Sequence, residues 1–356
     1  MVKKNLILPV DRYMDEALYN HKTGYYMQKN PFGKKGDFIT SPNISILFSE
    51  MIAIWIIAFW ENLKCPRKFN LIELGAGNGE MMNIIIKTFK NFPHFEKSCR
   101  INIFEKSNYL KKIQKDKLKH KDIKWLENLD EITNIPNIFI ANEFFDALPI
   151  KQFVKKKNQW YEKKIQFSKD KNHTLIDEIT NIKEIEKKVF FKISYNQEFI
   201  EYSPLLIKYI NIISKKISLN DGGLLVIDYG NWNKKMKNTI KAIFNHKHGS
   251  VLENFGKSDI TYNINFGLFK KILEKCHLKV NGNTIQRKFL LNLGILKRAE
   301  IISKNLPFSK KTDIYYRIKR LIDERSMGKL FKVILATKKI QILKLDLKID
   351  KIKKII

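Results

Sequence analysis

The sequence predicts an α/β protein whose core is a doubly wound, mostly parallel sheet, with an N-terminal helical extension and inserted hairpin and helical elements. Three observations predict this class. Short apolar segments alternate with amphipathic helical ones through residues 69–141, and a glycine-rich turn at 75–79 follows the first of them. Residues 151–165 then alternate residue by residue, as in an antiparallel hairpin. With 356 residues the chain can bury a large core without disulfides or metals.

The elements of the first half follow from periodicity and punctuation. Strands are predicted at 69–74, 100–104, 123–126 and 137–141, and helices at 80–92 and 109–118. Upstream lie a helix at 15–26 that turns at Gly24, a glycine-punctuated loop at 31–40, and an apolar helix with Ser41 as N-cap and Pro42 in its first turn. We therefore divide this half into an N-terminal extension at 1–68 and the first half of the core at 69–150.

The second half is less regular. The hairpin opens an inserted region at 151–200, and the second half of the core, at 201–337, has helical insertions. Its predicted elements are a helix at 203–217, a strand at 223–228, a loop-rich stretch at 231–265, a helix at 266–276, short helices at 287–325 and a last strand at 330–337. The basic tail at 338–356 fits helical and strand periodicity equally well.

The most informative segment is LIELGAGNGEMMNIII, where a strand meets a helix through Gly75, Gly77 and Gly79. Glycines let the backbone approach a ligand, and the helix N-terminus offers free amides. The spacing is GxGxG rather than the GxGxxG of dinucleotide sites, and Glu73 precedes the loop. A carboxylate there repels a pyrophosphate but suits an ammonium or a sulfonium. S-adenosylmethionine carries both, and this is the first motif of class I methyltransferases.

The next two strands supply further candidates for the cofactor. The second predicted strand ends at Glu105, which is placed to bind ribose hydroxyls. The third ends at Leu126 and Glu127, where adenine is expected. An exposed strand-end glutamate is the plain alternative for Glu105.

The fourth strand is followed by ANEFFDALP, in which Asn142, Glu143 and Asp146 face the position of the methyl donor. The alternative interpretation is a capped helix start, with Asn142 or Asp146 as N-cap. The fifth strand ends in Asp228 and Tyr229 on the same rim of the sheet. We predict Glu143, Asp146, Asp228 and Asn142 as catalytic residues.

Composition excludes several classes of protein. Hydrophobic residues make up 44% of the chain and charged residues 29%, which argues against disorder and against many membrane spans. The net charge is +31, but only eight of the 67 basic residues are arginine. Lysine, isoleucine and asparagine share A/T-rich codons, so this charge favours a solvated lysine-coated surface. Attraction to acidic partners is the alternative.

The cysteines and the N-terminus indicate a reducing compartment. Cys65, Cys99 and Cys276 are odd in number and lie far apart, which supports neither a disulfide framework nor a zinc site, and we expect no metal. The N-terminus fits neither a signal peptide nor a transit peptide. The continuous apolar run at 51–60 is too short for a membrane span, which needs about 20 residues.

Longer segments carry a resemblance to a known family. They are MDEALYNHKTGYY, GDFITSPNIS, ELGAGNGEM, ANEFFDALPIKQF, the DYG at Asp228, SDITYNINF, IQRKFLLNLGI and MGKLFKV. On these the chain resembles the MidA-like S-adenosylmethionine-dependent methyltransferases, which include a mitochondrial complex I assembly-factor arginine methyltransferase and bacterial relatives. The family often has arginine where Lys163 and Lys241 stand, and lysine lacks the planar fork of arginine.

The resemblance implies a class I methyltransferase core, S-adenosyl-L-methionine as cofactor, and methylation of an arginine in a quinone-module subunit of complex I. It implies that Gly36, Asp37 and Thr40 fold over the cofactor. It also implies that Tyr229, Asp259, Thr261 and Phe266 line the substrate side. The expected location is the cytoplasm of a bacterium or the mitochondrial matrix of a eukaryote; the oligomeric state stays open.

Two other functions stay open on the sequence. A nucleic-acid amino-methyltransferase would use the basic charge and Asn142, but Glu143 and Phe144 stand where such enzymes usually have prolines. An assembly scaffold would bind the cofactor without turnover. We expect a protein substrate, no specific nucleic acid and no membrane span.

Overall fold

The computed structural model describes residues 6–33, 40–119, 122–167 and 173–338. Gly36, Asp37 and all but the first residue of the basic tail at 338–356 lie outside these ranges. Within them the chain is α/β, with one large mixed sheet covered by helices on both faces. The predicted fold class is confirmed.

The strands, numbered along the chain, form three sheets. They are β1 (Ile7–Pro9), β2 (Phe69–Leu74), β3 (Cys99–Phe104), β4 (Lys124–Leu126), β5 (Asn137–Asn142), β6 (Lys151–Lys156), β7 (Gln159–Gln166), β8 (Thr174–Ile179), β9 (Phe199–Tyr202), β10 (Gly222–Asn231), β11 (Lys241–Phe244), β12 (Lys247–Gly249), β13 (Asp259–Thr261), β14 (Ile264–Asn265), β15 (Leu278–Ile285) and β16 (Phe331–Lys338).

The helices lie before, between and after the strands of the large sheet. They are α1 (Val10–Tyr19), α2 (Tyr25–Gln28), α3 (Ser41–Ile44), α4 (Ile46–Asn62), α5 (Glu80–Phe89), α6 (Pro93–Ser98), α7 (Asn108–Leu118), α8 (Ile182–Val189), α9 (Pro204–Asn220), α10 (Phe266–Lys275), α11 (Gln286–Asn292), α12 (Ile295–Ser303), α13 (Phe308–Ile322) and α14 (Met327–Leu330).

The large sheet determines where a ligand can bind. Its order is β15-β16-β10-β5-β2-β3-β4, with β14 added beside the end of β10. Strands β4, β3, β2, β5 and β10 pair in parallel, whereas β16 runs antiparallel to both β10 and β15. From β2 the chain first builds outward through β3 and β4 and then returns to the other side of β2 with β5. Ligands of open α/β sheets bind at such a switch point, outside the carboxyl ends of the strands.

Alternating side chains of the central strands bury both faces of the sheet. Leu71 packs into the core with α4, α5 and α11–α13, and its neighbour Ile72 packs into the opposite core with α1, α9 and α10. Helix α4 is apolar on almost every side. Its partly buried acid, Glu50, accepts a hydrogen bond from Arg298 Nε of α12 at 2.8 Å. The apolar run is therefore a core helix. No helix in the described ranges is long and apolar enough to cross a membrane.

The extension and the insertion share a second sheet. Strands β6, β7, β8 and β9 are all antiparallel, which confirms the predicted hairpin, and β1 of the extension pairs with β7. The register joins Leu8 to Ile165, so the start of the described chain is attached to the insertion. Lys163 pairs there with Asp177 at 3.0 Å.

Several predicted element boundaries are wrong, for local reasons. The helix predicted at 15–26 begins at Val10 and ends at Tyr19, because Asn20 Oδ1 accepts hydrogen bonds from the amides of Lys22 and Thr23 and turns the chain. The helix predicted at 80–92 ends at Phe89, since Pro93 begins a new helix.

Two further corrections concern caps and missed strands. Ser41 does not cap the apolar helix: it is the first residue of α3, and Ser45 caps α4 by accepting from the Leu47 amide. The loop-rich stretch at 231–265 contains β11 to β14, and β11, β12 and β13 form a small third sheet. Strand β15 carries Asn281 and Asn283 around a bulge, so it lacks the apolar pattern of a core strand.

Candidate active site

A cavity of about 340 Å³ opens at the carboxyl ends of β2, β3, β5 and β10. This volume lies in the range of small-molecule sites. A smaller recess behind the glycine loop shares part of its wall and is lined by Glu73 and Asn142. The predicted site residues that line the main cavity are Thr40, Gly75, Gly77, Glu105, Glu143, Asp146, Tyr229, Asp259 and Thr261.

The glycine loop has a backbone conformation that residues other than glycine rarely adopt. Gly75, Gly77 and Gly79 have φ values of +69°, +52° and +74°. A Cβ on Gly75 would also lie 2.8 Å from Phe144 Cδ2, and one on Gly77 would lie 3.2 Å from Phe32 Cε2. The loop therefore depends on glycine both for its turn and for the close packing of two aromatic rings beside the cavity.

Glu73 is buried beneath this loop, with 2% of its surface exposed. Its Oε2 has no hydrogen-bond partner in the described part of the chain. Burial, reinforced by the nearby charge of Glu105, raises the pKa of Glu73 to about 8. An unpartnered buried acceptor facing a glycine loop fits a cationic group of a ligand.

Glu105 ends β3 at the cavity wall. Its Oε1 accepts from the Ser107 amide at 2.9 Å and its Oε2 from Gln114 Nε2 at 3.1 Å. Burial raises the pKa of Glu105, and these two hydrogen bonds oppose the rise. Gln114, which was not predicted from the sequence, also donates to the Gly77 carbonyl at 2.8 Å and so ties the glycine loop to Glu105.

Glu143 follows β5 with a φ of +52°, a conformation that is uncommon outside glycine. Its Oε1 accepts from the Ser41 amide at 3.4 Å and from Asn142 Nδ2 at 3.2 Å. Burial and the neighbouring Asp146 raise the pKa of Glu143 to about 8. Strained backbone of this kind persists where the surrounding structure holds it, often at functional sites.

Asp146 follows Glu143 by three residues in the same turn; it is 4% exposed, and its Oδ1 lacks a partner among the described residues. Burial raises the pKa of Asp146 to about 6, while a hydrogen bond with Tyr229 and the charge of Lys241 oppose the rise. Lys241 Nζ lies 4.4 Å from the centre of the Tyr229 ring. Asp146 thus keeps a carboxylate oxygen free beside a cation and an aromatic face.

Asp228 is placed differently from the sequence prediction. It is fully buried and does not line the cavity; its Oδ2 accepts from the amides of Phe145 and Asp146 at 3.1 and 3.3 Å. Its Oδ1 accepts from the Tyr229 amide. Because its oxygens are bound to the turn that carries Asp146, Asp228 positions that turn rather than facing a ligand.

Three other predicted residues line neither the cavity nor the smaller recess. Leu126 is fully buried below the cavity, and Phe266 is fully buried beside Trp232. The Glu127 side chain, just after β4, is 72% exposed and forms a salt bridge with Lys111, whose own side chain is only 8% exposed. Asn142 lines only the smaller recess.

An aromatic wall from the extension, which was not predicted from the sequence, completes the cavity. Tyr19, Tyr26 and Phe32 stack in a row, with ring centroids 5.6 and 6.3 Å apart. Tyr26 donates to Asp259 Oδ1 at 2.6 Å and Tyr19 to the Ala147 carbonyl at 3.0 Å. The only sequence signal was the clustering of aromatic residues at 19–32, which periodicity does not interpret.

These residues fit S-adenosylmethionine. The orphaned Oε2 of Glu73 suits its ammonium group, the glycine loop leaves room for the backbone to approach it, and Glu105 suits its ribose hydroxyls. Within the described ranges no cluster of three or more His, Cys, Asp or Glu side chains is placed to hold a metal.

Solved structures share this fold. A crystal structure from Burkholderia thailandensis bound to S-adenosyl-homocysteine matches with a TM-score of 0.78 over 93% of this chain and 88% of that one, at 21% sequence identity. A second structure from the same organism also has a TM-score of 0.78, at 22% identity, over 96% of this chain and 89% of that one.

Comparison of sequences gives the family. The chain is 28% identical to human "Protein arginine methyltransferase NDUFAF7, mitochondrial", over 93% of this chain and 80% of that protein. It is 30% identical to the Caenorhabditis elegans homolog of that protein, over 82% of this chain and 74% of that one. A family model described as an S-adenosyl-L-methionine-dependent methyltransferase matches residues 51–284, well over half of the chain. The chain therefore belongs to this family of S-adenosyl-L-methionine-dependent methyltransferases.

Proposed function

We propose that the chain methylates an arginine side chain of a partner protein, a quinone-module subunit of the peripheral arm of complex I, during assembly. One observation carries the proposal. Glu143, Asp146 and Asp259 line the same cavity as the glycine loop, and a guanidinium cation needs such carboxylates. The relatives described above are named protein arginine methyltransferases, which supports the same acceptor. We place the reaction in the cytoplasm of a bacterium or the mitochondrial matrix of a eukaryote.

The donor side is held by residues of β2 and β3. In this proposal Glu73 binds the ammonium group, the amides of the glycine loop approach the carboxylate, and Glu105 accepts from the ribose hydroxyls. Thr40 covers the cofactor, and Leu126 supports the adenine site from below. When bound, S-adenosylmethionine supplies a methyl group on a sulfonium, which an attacking nitrogen receives in one displacement.

The acceptor side is held by residues of β5, β10 and β13. Asp146 and Asp259 bind the guanidinium through its N–H groups and fix one nitrogen in line with the methyl group. Glu143 offsets part of the charge that two adjacent cations bring into a buried site. Its raised pKa also makes it a better base for the proton that the attacking nitrogen releases. Tyr229 and Thr261 complete this wall.

The raised pKa of Glu73 predicts a stability change with pH. Its pKa is about 8 in the folded protein and 4.5 in the unfolded chain, so the folded state holds a proton that unfolding releases. Unfolding free energy should therefore fall as pH rises from about 4.5 to 8, by about 1–2 kcal/mol between pH 6 and 7.5 from this group alone. The Glu73→Gln variant has no carboxyl group to ionise at this position, so its unfolding free energy should fall less over the same pH range.

Melting temperatures at pH 6 and pH 7.5, without cofactor, check this prediction. Between these two pH values the melting temperature of the wild-type protein should fall further than that of Glu73→Gln. Glu61→Gln, at an exposed site in α4, serves as the control and should follow the wild type. Equal pH dependence in wild type and Glu73→Gln would contradict a buried, neutral Glu73.

The rival acceptor, a nucleic acid, gives a separate prediction. The cavity is lined by four acidic side chains, from Glu105, Glu143, Asp146 and Asp259, and by only two lysines, Lys106 and Lys241, which disfavours a phosphate backbone. Duplex DNA and RNA should therefore bind only weakly, without sequence preference, at physiological salt. A mobility-shift assay that finds a tight, sequence-selective complex would favour the nucleic-acid reaction instead.

Mass spectrometry of complex I subunits tests the proposed function directly. Subunits from a strain lacking this gene should have lost methylation at one arginine, and the purified protein with S-adenosylmethionine should restore it. Unchanged arginine methylation in that strain would overturn the proposal. Cofactor binding without any turnover on the purified subunits would point to an assembly scaffold.

A further inference from the structure

A second concavity, which we call the lysine groove, lies between the insertion and the loop after β10. Its volume is about 320 Å³, similar to that of the active-site cavity. The residues that matter here are Lys192, Lys234, Lys235, Lys271, Tyr195 and Trp232. Nothing in the proposed methyl transfer uses them.

The charge of the lysine groove is of one sign. Four lysines line it and no aspartate or glutamate does. In the part of the chain that the structure describes, none of the four ammonium groups forms a salt bridge. Lys235 donates to Asn196 Oδ1 at 3.3 Å, a neutral partner. The groove is therefore an uncompensated positive site and attracts anions.

Its floor is apolar and its walls are held together. Trp232 is 37% exposed and packs on Phe266 at 5.6 Å between ring centroids. Across the groove, Gln197 donates to the Lys234 carbonyl and accepts from the Met236 amide, both at 2.8 Å. These two hydrogen bonds fix the insertion to the loop, so the concavity is formed before any ligand arrives.

The lysine groove lies close to the acceptor side of the active site. Tyr229 lines the active-site cavity and Trp232 lines the groove. Three residues span at most about 11 Å between Cα atoms. A peptide with its arginine in the cavity can therefore reach the groove within about three to six residues, at about 3.3 Å each.

We propose that the lysine groove binds an acidic segment of the acceptor protein that also carries an aromatic or aliphatic side chain, a few residues from the methylated arginine. This inference rests on the proposed protein substrate. Lysines around an exposed tryptophan also suit single-stranded nucleic acid. We favour the peptide, because a phosphate chain leaving the groove toward the cavity would meet four acidic side chains, which outnumber the two lysines there.

Fluorescence anisotropy with labelled peptides on the full chain tests the groove. The first probe contains one arginine, a four-residue glycine–serine spacer and Glu-Phe-Glu; the second has Gln-Ala-Gln instead, and the third lacks the arginine. The variant is Lys234→Glu/Lys271→Glu. Its matched control is Lys215→Glu/Lys275→Glu, which makes the same charge change at exposed positions outside the groove.

We expect the Glu-Phe-Glu probes, with or without arginine, to bind at least about tenfold more tightly than the Gln-Ala-Gln probe, with an affinity that weakens as salt rises. The groove variant should lose that difference and the control variant should keep it. Trp232→Ala should weaken the Glu-Phe-Glu probe as well. S-adenosylmethionine affinity should be the same in all variants.

Equal binding of the acidic and neutral probes would overturn the inference, as would equal loss in the groove and control variants. Tighter binding of a short oligo-dT that the groove variant abolishes would assign the groove to nucleic acid instead. Methylation separates the two proposals. If the acidic probe binds in the groove but no arginine probe is ever methylated, the groove stands and the proposed function fails. If the two arginine-containing probes are methylated with equal KM, the proposed function stands and the groove inference fails.

Discussion

Glu143→Gln should lower the rate of methyl transfer to an arginine-bearing subunit by at least about 100-fold, the usual scale for a positioned acid–base group. The amide keeps the size of the side chain but cannot offset the charge of two cations or accept the released proton. S-adenosylmethionine affinity should change little, because Glu73, Glu105 and the glycine loop account for the donor. Single-turnover assays with saturating cofactor, together with calorimetry, measure the two quantities.

Glu61→Gln is the matched control for this variant, since it makes the same chemical change at an exposed side chain of α4. It should leave both turnover and cofactor affinity at wild-type values. Full transfer by Glu143→Gln would show the carboxylate mechanism to be wrong. Loss of cofactor binding in that variant would instead assign Glu143 to the donor site.

Gly75→Val should abolish detectable cofactor binding. Gly75 has a φ of +69°, a backbone conformation that is strongly unfavourable for a β-branched residue. A Cβ there would also lie 2.8 Å from a carbon of the Phe144 ring. The substitution therefore distorts the loop and displaces the ring that lines the cavity. Isothermal calorimetry with S-adenosylmethionine, on protein whose circular dichroism matches the wild type, measures the effect.

Gly249→Val is the control for Gly75→Val, because Gly249 is exposed and a Cβ there has as its nearest neighbour Glu253 Oε2 at 3.7 Å. It should bind the cofactor normally. The double variant Gly75→Ala/Phe144→Ala separates the two causes: recovery of binding relative to Gly75→Ala would assign the effect to the ring. Unchanged affinity in folded Gly75→Val would contradict the placement of the cofactor at this loop.

The sequence predicted the central sheet because its signals are local. Strand β2, the turn at Gly75 and the start of α5 at Glu80 were predicted at their observed residues, since buried strands and glycine turns have short-range patterns. The acids at the strand ends could be predicted as site residues, because the carboxyl ends of parallel strands lie at the same edge of the sheet. Periodicity could not show which of these acids face the cavity. Glu127 points to solvent, and Asp228 accepts hydrogen bonds from the amides of Phe145 and Asp146.

The missed parts of the site depend on contacts distant in sequence. Gln114 lies on a helix surface by its pattern, yet it connects the glycine loop to Glu105 and accepts from Trp125 Nε1 at 3.0 Å. Tyr26 is held at the cavity by Asp259, in β13, which accepts a hydrogen bond from its hydroxyl group. No property of the neighbouring residues predicts such a pairing, so sequence reasoning finds the donor side more readily than the acceptor side.

The attachments of the N-terminal extension also bear on the order of folding. Tyr13 bonds the Val251 carbonyl and Tyr26 bonds Asp259, across separations of 238 and 233 residues, while Leu8 pairs with Ile165. Contacts of such long range are slow to form, because a long loop must close before they contribute. Residues made early in synthesis must therefore wait for those made late. The aromatic wall, and with it a binding-competent cavity, should be the last part of the molecule to mature, after the central sheet has already formed.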